Sequence, residues 1–211
     1  MKKIITLILA VALATPTFAQ FENTGKRNRF NHSNTEQYYG LRLGLNIASL
    51  SSDAAEMDLD SRTGIAFGGV YGFQLANSAP VWLEAGLFYS EKGGKTTIHG
   101  DKLTARLTYF QLPVVCKYAI DIADDFYLTP FAGGYMALGT FGKIKDYATH
   151  TAESSWDTFN RFDGGLRLGC GLEYDMVYAE LGFDFGLTNI SKSDFESTHT
   201  RNLFINVGVN F

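Results

Sequence analysis

Residues 161–175, RFDGGLRLGCGLEYD, alternate between two kinds of side chain. Phe162, Gly164, Leu166, Leu168, Cys170, Leu172 and Tyr174 form one set. Asp163, Gly165, Arg167, Gly169, Gly171 and Glu173 form the other. An extended strand sends successive side chains to opposite faces, so one face is apolar and the other holds only charges and glycine. This pattern recurs along the chain. YGLRLGLNIASL places Tyr39, Leu41, Leu43, Leu45 and Ile47 opposite Gly40, Arg42, Gly44, Asn46 and Ala48. TGIAFGGVYGFQL, VWLEAGLFYSEK, VYAELGFDFGLT and NLFINVGVNF alternate in the same way. Period-2 alternation over about ten residues is a strand signal.

Eight strands are expected, near 39–50, 63–75, 81–92, 104–118, 126–140, 159–174, 177–188 and 202–211. Two are irregular. Pro113 falls inside the fourth, where it removes a ladder donor; Phe110, Leu112, Val114, Cys116 and Tyr118 are assigned to its apolar face. The fifth has no readable phase. The connections run 12, 5, 11, 7, 18, 2 and 13 residues, alternately long and short. Membrane barrels have short periplasmic turns and long outer loops, whereas nothing imposes that alternation on a soluble sandwich.

The polar face distinguishes the two architectures. A solvated strand face is rich in Thr, Ser, Lys and Glu, yet many of the chain's 22 glycines sit here. Glycine weakens a strand unless space demands it, and space is short inside an eight-stranded barrel. The apolar face also gathers aromatic residues: Tyr39, Phe73, Tyr118, Tyr174 and Phe211 fall at strand ends beside short turns or the termini, the arrangement of an interfacial girdle on the periplasmic side. The expected fold is therefore all-β, an eight-stranded antiparallel up-and-down transmembrane barrel. Closure satisfies every backbone group, as lipid requires.

The N-terminus, MKKIITLILAVALATPTFAQ, carries two lysines, an eleven-residue apolar run and small residues before Ala19. It reads as a cleavable signal peptide cut after Ala19; eleven apolar residues fall short of a membrane span. The expected organisation is a signal peptide at 1–19, a flexible polar extension at 20–37 and the barrel at 38–211. With a net charge of -4, the chain is not expected to bind nucleic acid.

LEAGLFYSEKGGK at 83–95, LTYFQLPVVCKY at 107–118, RFDGGLRLGCGLEY at 161–174, FGLTNIS at 185–191 and the terminal aromatic strand together resemble the small porin-like outer-membrane β-barrel domain family of Gram-negative bacteria. The resemblance implies an eight-stranded outer-membrane barrel but no shared activity, because fold does not fix function. Phe211 resembles the terminal aromatic signal read by the barrel-assembly machinery.

Catalytic motifs of the G-x-S-x-G, H-E-x-x-H and C-x-x-C types are lacking, and neither an enzyme nor a cofactor is expected. His32 lies in the extension, and His99, His150 and His199 are assigned to three long loops. Their spacing does not argue for a metal. Asp53, Glu56, Asp58 and Asp60 form an acidic first loop, read as solvated and open to cation bridging with lipopolysaccharide. Cys116 and Cys170 lie two strands apart, about 10 Å, too far for a disulfide.

The two-residue connection at Asp175-Met176 sets a register. Glu173 should face Tyr178, Gly171 Glu180, Gly169 Gly182, and Arg167 Asp184. An Arg167–Asp184 pair is expected inside the barrel, with Asp163 above it. Arg42, Glu84, Lys117, Glu173 and Glu180 should form a second ionic cluster nearer the periplasm. Such a plug would block solutes and leave a structural or surface-binding role to the outer loops. The alternatives are a narrow solute channel or, further off, a loop-borne lipid-modifying enzyme. The expected partners are outer-membrane lipid and lipopolysaccharide, the assembly machinery and an extracellular ligand, and the barrel is expected to be a monomer.

Overall fold

The alternating stretches are strands of one antiparallel sheet that closes on itself. The computed structural model describes residues 37–52, 60–76, 79–98, 101–123, 126–146, 152–154, 160–191 and 198–211. Residues 1–36, which hold the expected signal peptide and nearly all of the expected extension, lie outside the described residues. The strands are β1 Gln37–Ser52, β2 Asp60–Gln74, β3 Val81–Ile98, β4 Asp101–Tyr118, β5 Ile120–Ala123, β6 Phe126–Asp146, β7 Ala152–Ser154, β8 Phe162–Tyr174, β9 Val177–Gly186 and β10 Thr198–Asn210. Eight of them form the wall, each paired with its neighbour, and the β4–β6 pairing completes the ring. Short β5 and β7, absent from the sequence expectation, extend the β6 edge at its two ends. The expected long loop at 93–103 is mostly ladder, because β3 and β4 stay paired up to Ile98 and Asp101.

The alternation maps directly onto the wall. Leu41 is 60% exposed on the outside, and adjacent Arg42 is 3% exposed on the inside. In β8, Phe162, Leu166, Leu168, Leu172 and Tyr174 are exposed while Asp163, Arg167 and Glu173 are buried. The phase of β6, unreadable in sequence, puts Tyr127, Phe131, Tyr135 and Ala137 inside and Met136 and Leu138 outside. An irregularity opposite Thr108 and Tyr109 then shifts the register by one, and Phe141 faces outward. Pro113 is accommodated in the interior row. The ladder to β3 is interrupted there, but Gln111–Phe88 and Val114–Ala85 keep one register across the gap.

Cys116 and Cys170 are free thiols, separated by β6, which pairs Ala132 with Cys116 and Pro130 with Cys170. His199 belongs to β10 rather than to a loop, with Nδ1 3.2 Å from the Thr188 carbonyl. His32, His99, His150, Asp53, Glu56 and Asp58 lie outside the described residues, and Asp60 begins β2.

The β8–β9 turn holds two residues, since Tyr174 pairs with Val177. Asp175 has φ of 50°, the one positive value among described non-glycine residues. Positive φ at the first central position alone fits a type II′ turn, where glycine is preferred. Asp175→Gly is expected to raise stability by about 0.5–1 kcal/mol and Asp175→Val to lower it, because a β-branched residue is poorly tolerated at positive φ. Denaturant titration of the folded barrel checks both signs.

Candidate functional site

The interior is polar at two levels, with a ring-filled layer between them. The upper level, toward the long connections, is centred on Asp184 and Asp163. Across the β8–β9 ladder Arg167 stands opposite Asp184, and Gly169–Gly182, Gly171–Glu180 and Glu173–Tyr178 follow in the same register. Arg167 Nε donates to Asp184 Oδ1 at 2.7 Å and Nη2 to Oδ2 at 3.0 Å, a two-pronged contact. Gln111 Nε2 and Asn202 Nδ2 donate to the same carboxylate at 3.0 and 3.3 Å. Asp163 receives the Thr200 hydroxyl at 2.9 Å and those of Tyr135 and Thr188 at 3.3 Å.

Lys92 links the two acids, 3.3 Å from Asp163 and 3.9 Å from Asp184. Its ammonium also sits 4.3 Å from the centre of the Tyr135 ring. Sequence reasoning missed this residue. The signal was present: in VWLEAGLFYSEK the row of Glu84, Gly86, Phe88 and Ser90 faces inward, and Lys92 is its next position.

At the lower level, Lys117 Nζ donates to Glu84 Oε2 at 2.7 Å and to the Tyr178 hydroxyl at 2.9 Å. Tyr38 donates to the same Glu84 oxygen at 2.5 Å, and Arg42 Nη2 lies 3.6 Å from it. The Arg42 guanidinium stacks 4.0 Å from the centre of the Tyr178 ring. The expected five-residue cluster is therefore divided. Glu173 and Glu180 are met by side-chain amides instead, Asn210 Nδ2 at 2.9 Å and Asn206 Nδ2 at 2.7 Å. Both asparagines come from β10, whose inner row was read only as polar; antiparallel pairing of Asn206 with Glu180 brings that amide to the acid.

Between the levels lie Phe131 and Phe204, stacked with centroids 6.4 Å apart, together with Val115. Arg167 rests 4.1 Å over the Phe204 ring. Small residues make this filling possible. A Cβ on Gly182 would collide with the Phe204 ring, and one on Gly171 with the Tyr178 hydroxyl and Thr129.

On the outer wall Tyr39, Phe73, Tyr118, Tyr174 and Phe211 are all exposed at the short-turn end. Tyr39 and Phe211 exchange backbone hydrogen bonds at 3.1 and 2.7 Å. Aromatic residues are not confined to that end, as the sequence had suggested. Phe67 stacks on Tyr89 at 4.9 Å, Tyr89 meets Phe110 edge-on at 6.5 Å, and Phe141 and Phe162 are exposed nearby, all toward the long connections. A bilayer has two interfaces, and both favour rings.

An apolar outer wall bounded by aromatic residues, a closed ladder and an ionic interior together define a membrane-spanning β-barrel. The chain belongs to the outer membrane protein beta-barrel domain family, whose model matches residues 18–192. Among curated proteins none matches the chain. Solved structures that it is similar to include Ail, the attachment invasion locus protein of Yersinia pestis, at 13% identity and a TM-score of 0.47, covering 83% of this chain and 99% of that one. Neisserial surface protein A is 15% identical with a TM-score of 0.47, over 82% and 97% of the two chains. Outer Membrane Protein W of E. coli is 10% identical with a TM-score of 0.43, over 83% and 98%.

Proposed function

We propose that this chain is a closed outer-membrane barrel, non-conducting, that works through the surface at its long-connection end. The observation that carries this reading is the filled interior. Two levels of hydrogen-bonded charge, Lys92–Asp163–Asp184–Arg167 and Arg42–Glu84–Lys117, are separated by the Phe131–Phe204 layer. A hydrated solute crossing the barrel would have to part all three. In this orientation the short turns face the periplasm, β10 with the exposed Phe211 ring is offered to the assembly machinery, and the outer loops meet an extracellular ligand. A closed wall buries all eight main edges, which is consistent with a monomer.

Reconstitution in a planar lipid bilayer tests the closed reading. No reproducible single-channel steps are expected; uniform steps would establish a pore and overturn it. Migration on gels with and without boiling checks that the reconstituted protein is folded.

A further inference from the structure

At the short-turn end, β5 is covered on one side only. It continues the line of β4 beyond the ring and ends the strand order, paired to β6 alone. On its other side β3 starts only at Val81, opposite Tyr118, so no wall strand among the described residues flanks β5 there. The Ala119 amide bonds the Pro80 carbonyl at 2.9 Å where the gap begins. All four β5 residues are exposed, Ile120 by 39% and Ile122 by 56%. Ile122 is also left over by the ladder, between the Asp121–Tyr127 and Ala123–Phe126 pairs. An open edge is a template for another strand, and proteins blunt such edges with lysine, proline or short length. β5 is short, but it offers isoleucine where lysine or proline would protect it.

Charge at this end has one sign. Among the described residues there, the exposed charged side chains are Asp121 and Asp175. The sequence adds Asp124 and Asp125. Just inside the mouth three buried acids, Glu84, Glu173 and Glu180, stand against two buried bases, Arg42 and Lys117. The field at the mouth is therefore negative. Residues 20–36, ahead of β1, carry Lys26, Arg27 and Arg29 in one run, against the separate Glu22 and Glu36. That segment joins the wall at Gln37, which pairs with Phe73 at the same end. The open side of β5 continues the line of β3, two strands along from β1, or about 10 Å. Residues 30–36 can span about 23 Å, so Lys26–Arg29 reaches that edge, and the run is as long as β5.

We infer that the open edge of β5 is the seat of this chain's own N-terminal extension, with Lys26–Arg29 laid against Ile120–Ala123 as an added strand. Backbone hydrogen bonds supply the attachment, as in other strand additions. Side-chain alternation fits it. In an extended segment Arg27 and Arg29 share one row and Phe30 falls on the other; Asp121 and Ile120 are likewise on opposite rows of β5. One register therefore brings arginine to aspartate and a ring to isoleucine, both favourable cross-strand pairs.

Amide hydrogen exchange on the folded full chain in detergent micelles, read by mass spectrometry, tests this. Residues 119–125 are expected to exchange about tenfold slower in wild type than after deletion of 20–32, the worth of one or two net hydrogen bonds. Arg27→Pro/Asn28→Pro should abolish the difference. Neighbouring amides point to opposite sides of a strand, so one of the two prolines removes a donor to β5. Lys26→Gln/Arg27→Gln/Arg29→Gln should reduce the slowing to about threefold, as exposed ion pairs are lost. Exchange in the β3–β4 ladder should be the same throughout, which checks that each barrel is folded. A photoreactive benzophenone side chain in place of Asn28 should cross-link to 119–125 of its own chain. Equal exchange at 119–125 with and without the extension overturns the inference. So does slowing that survives the proline pair or the loss of the three cations, or cross-linking to the outer loops or to a second copy. Conducting steps in a bilayer would refute the closed barrel without changing these rates, so the two readings fail separately.

Discussion

Arg167→Leu is expected to destabilise the barrel by about 3–5 kcal/mol, and Arg167→Leu/Asp184→Leu by clearly less. Arg167 is 7% exposed and Asp184 fully buried, and the pair is joined by two hydrogen bonds. Removing the arginine leaves the carboxylate with two neutral amides, Gln111 at 3.0 Å and Asn202 at 3.3 Å, and with Lys92 at 3.9 Å. That lysine is already engaged by Asp163 at 3.3 Å. A charge desolvated by the fold would then be under-compensated, and this is the costly state. Removing both charges takes away the cause of the penalty. The leucine at 167 can lie against the Phe204 and Phe88 rings that the guanidinium now covers, and Lys92 keeps Asp163. Denaturant unfolding of wild type, both single variants and the double variant, followed by fluorescence of buried Trp82, gives the full cycle. A double variant less stable than Arg167→Leu would show that the pair is net stabilising and that this account of the interior is wrong.

How much of this interior was readable depended on what each strand offered. In β8 the inner row holds nothing but charge and glycine, so phase was unambiguous, and the two-residue connection to β9 carried it across to Asp184. In β6 both rows contain rings and small residues. Its inward rings, Tyr135 and Phe131, lie beside Lys92 and Lys117, 4.3 and 5.7 Å from ring centre to ammonium. An aromatic residue serves a lipid face and a cation equally well, so periodicity could not choose between the rows. Glu173 and Glu180 were placed in the right row, but the amides of Asn210 and Asn206 that meet them were not foreseen, because asparagine carries no charge to signal a partner and the long connection before β10 leaves its register unset.

Leu168→Arg is expected to cost about 2–4 kcal/mol in a lipid bilayer, and the size of that cost identifies the medium outside the wall. Leu168 is 45% exposed at the middle of β8, beside Ala132 on β6 and Phe183 on β9. Were the wall wetted, an arginine there would reach solvent and shift stability by no more than about 0.5 kcal/mol, as surface substitutions do. In hydrocarbon the guanidinium must be dragged toward an interface half a membrane away. Tyr174→Arg provides the comparison. It lies on the same outward row of the same strand, 57% exposed, at the short-turn end where the interface is near; its cost should be about 0–1 kcal/mol. Both variants keep the inward row intact, so neither disturbs the ion pairs. Reversible folding into vesicles against urea measures each difference. Equal, small losses at 168 and 174 would mean that the apolar wall does not meet lipid, and the membrane-spanning assignment of β8 would fall with it.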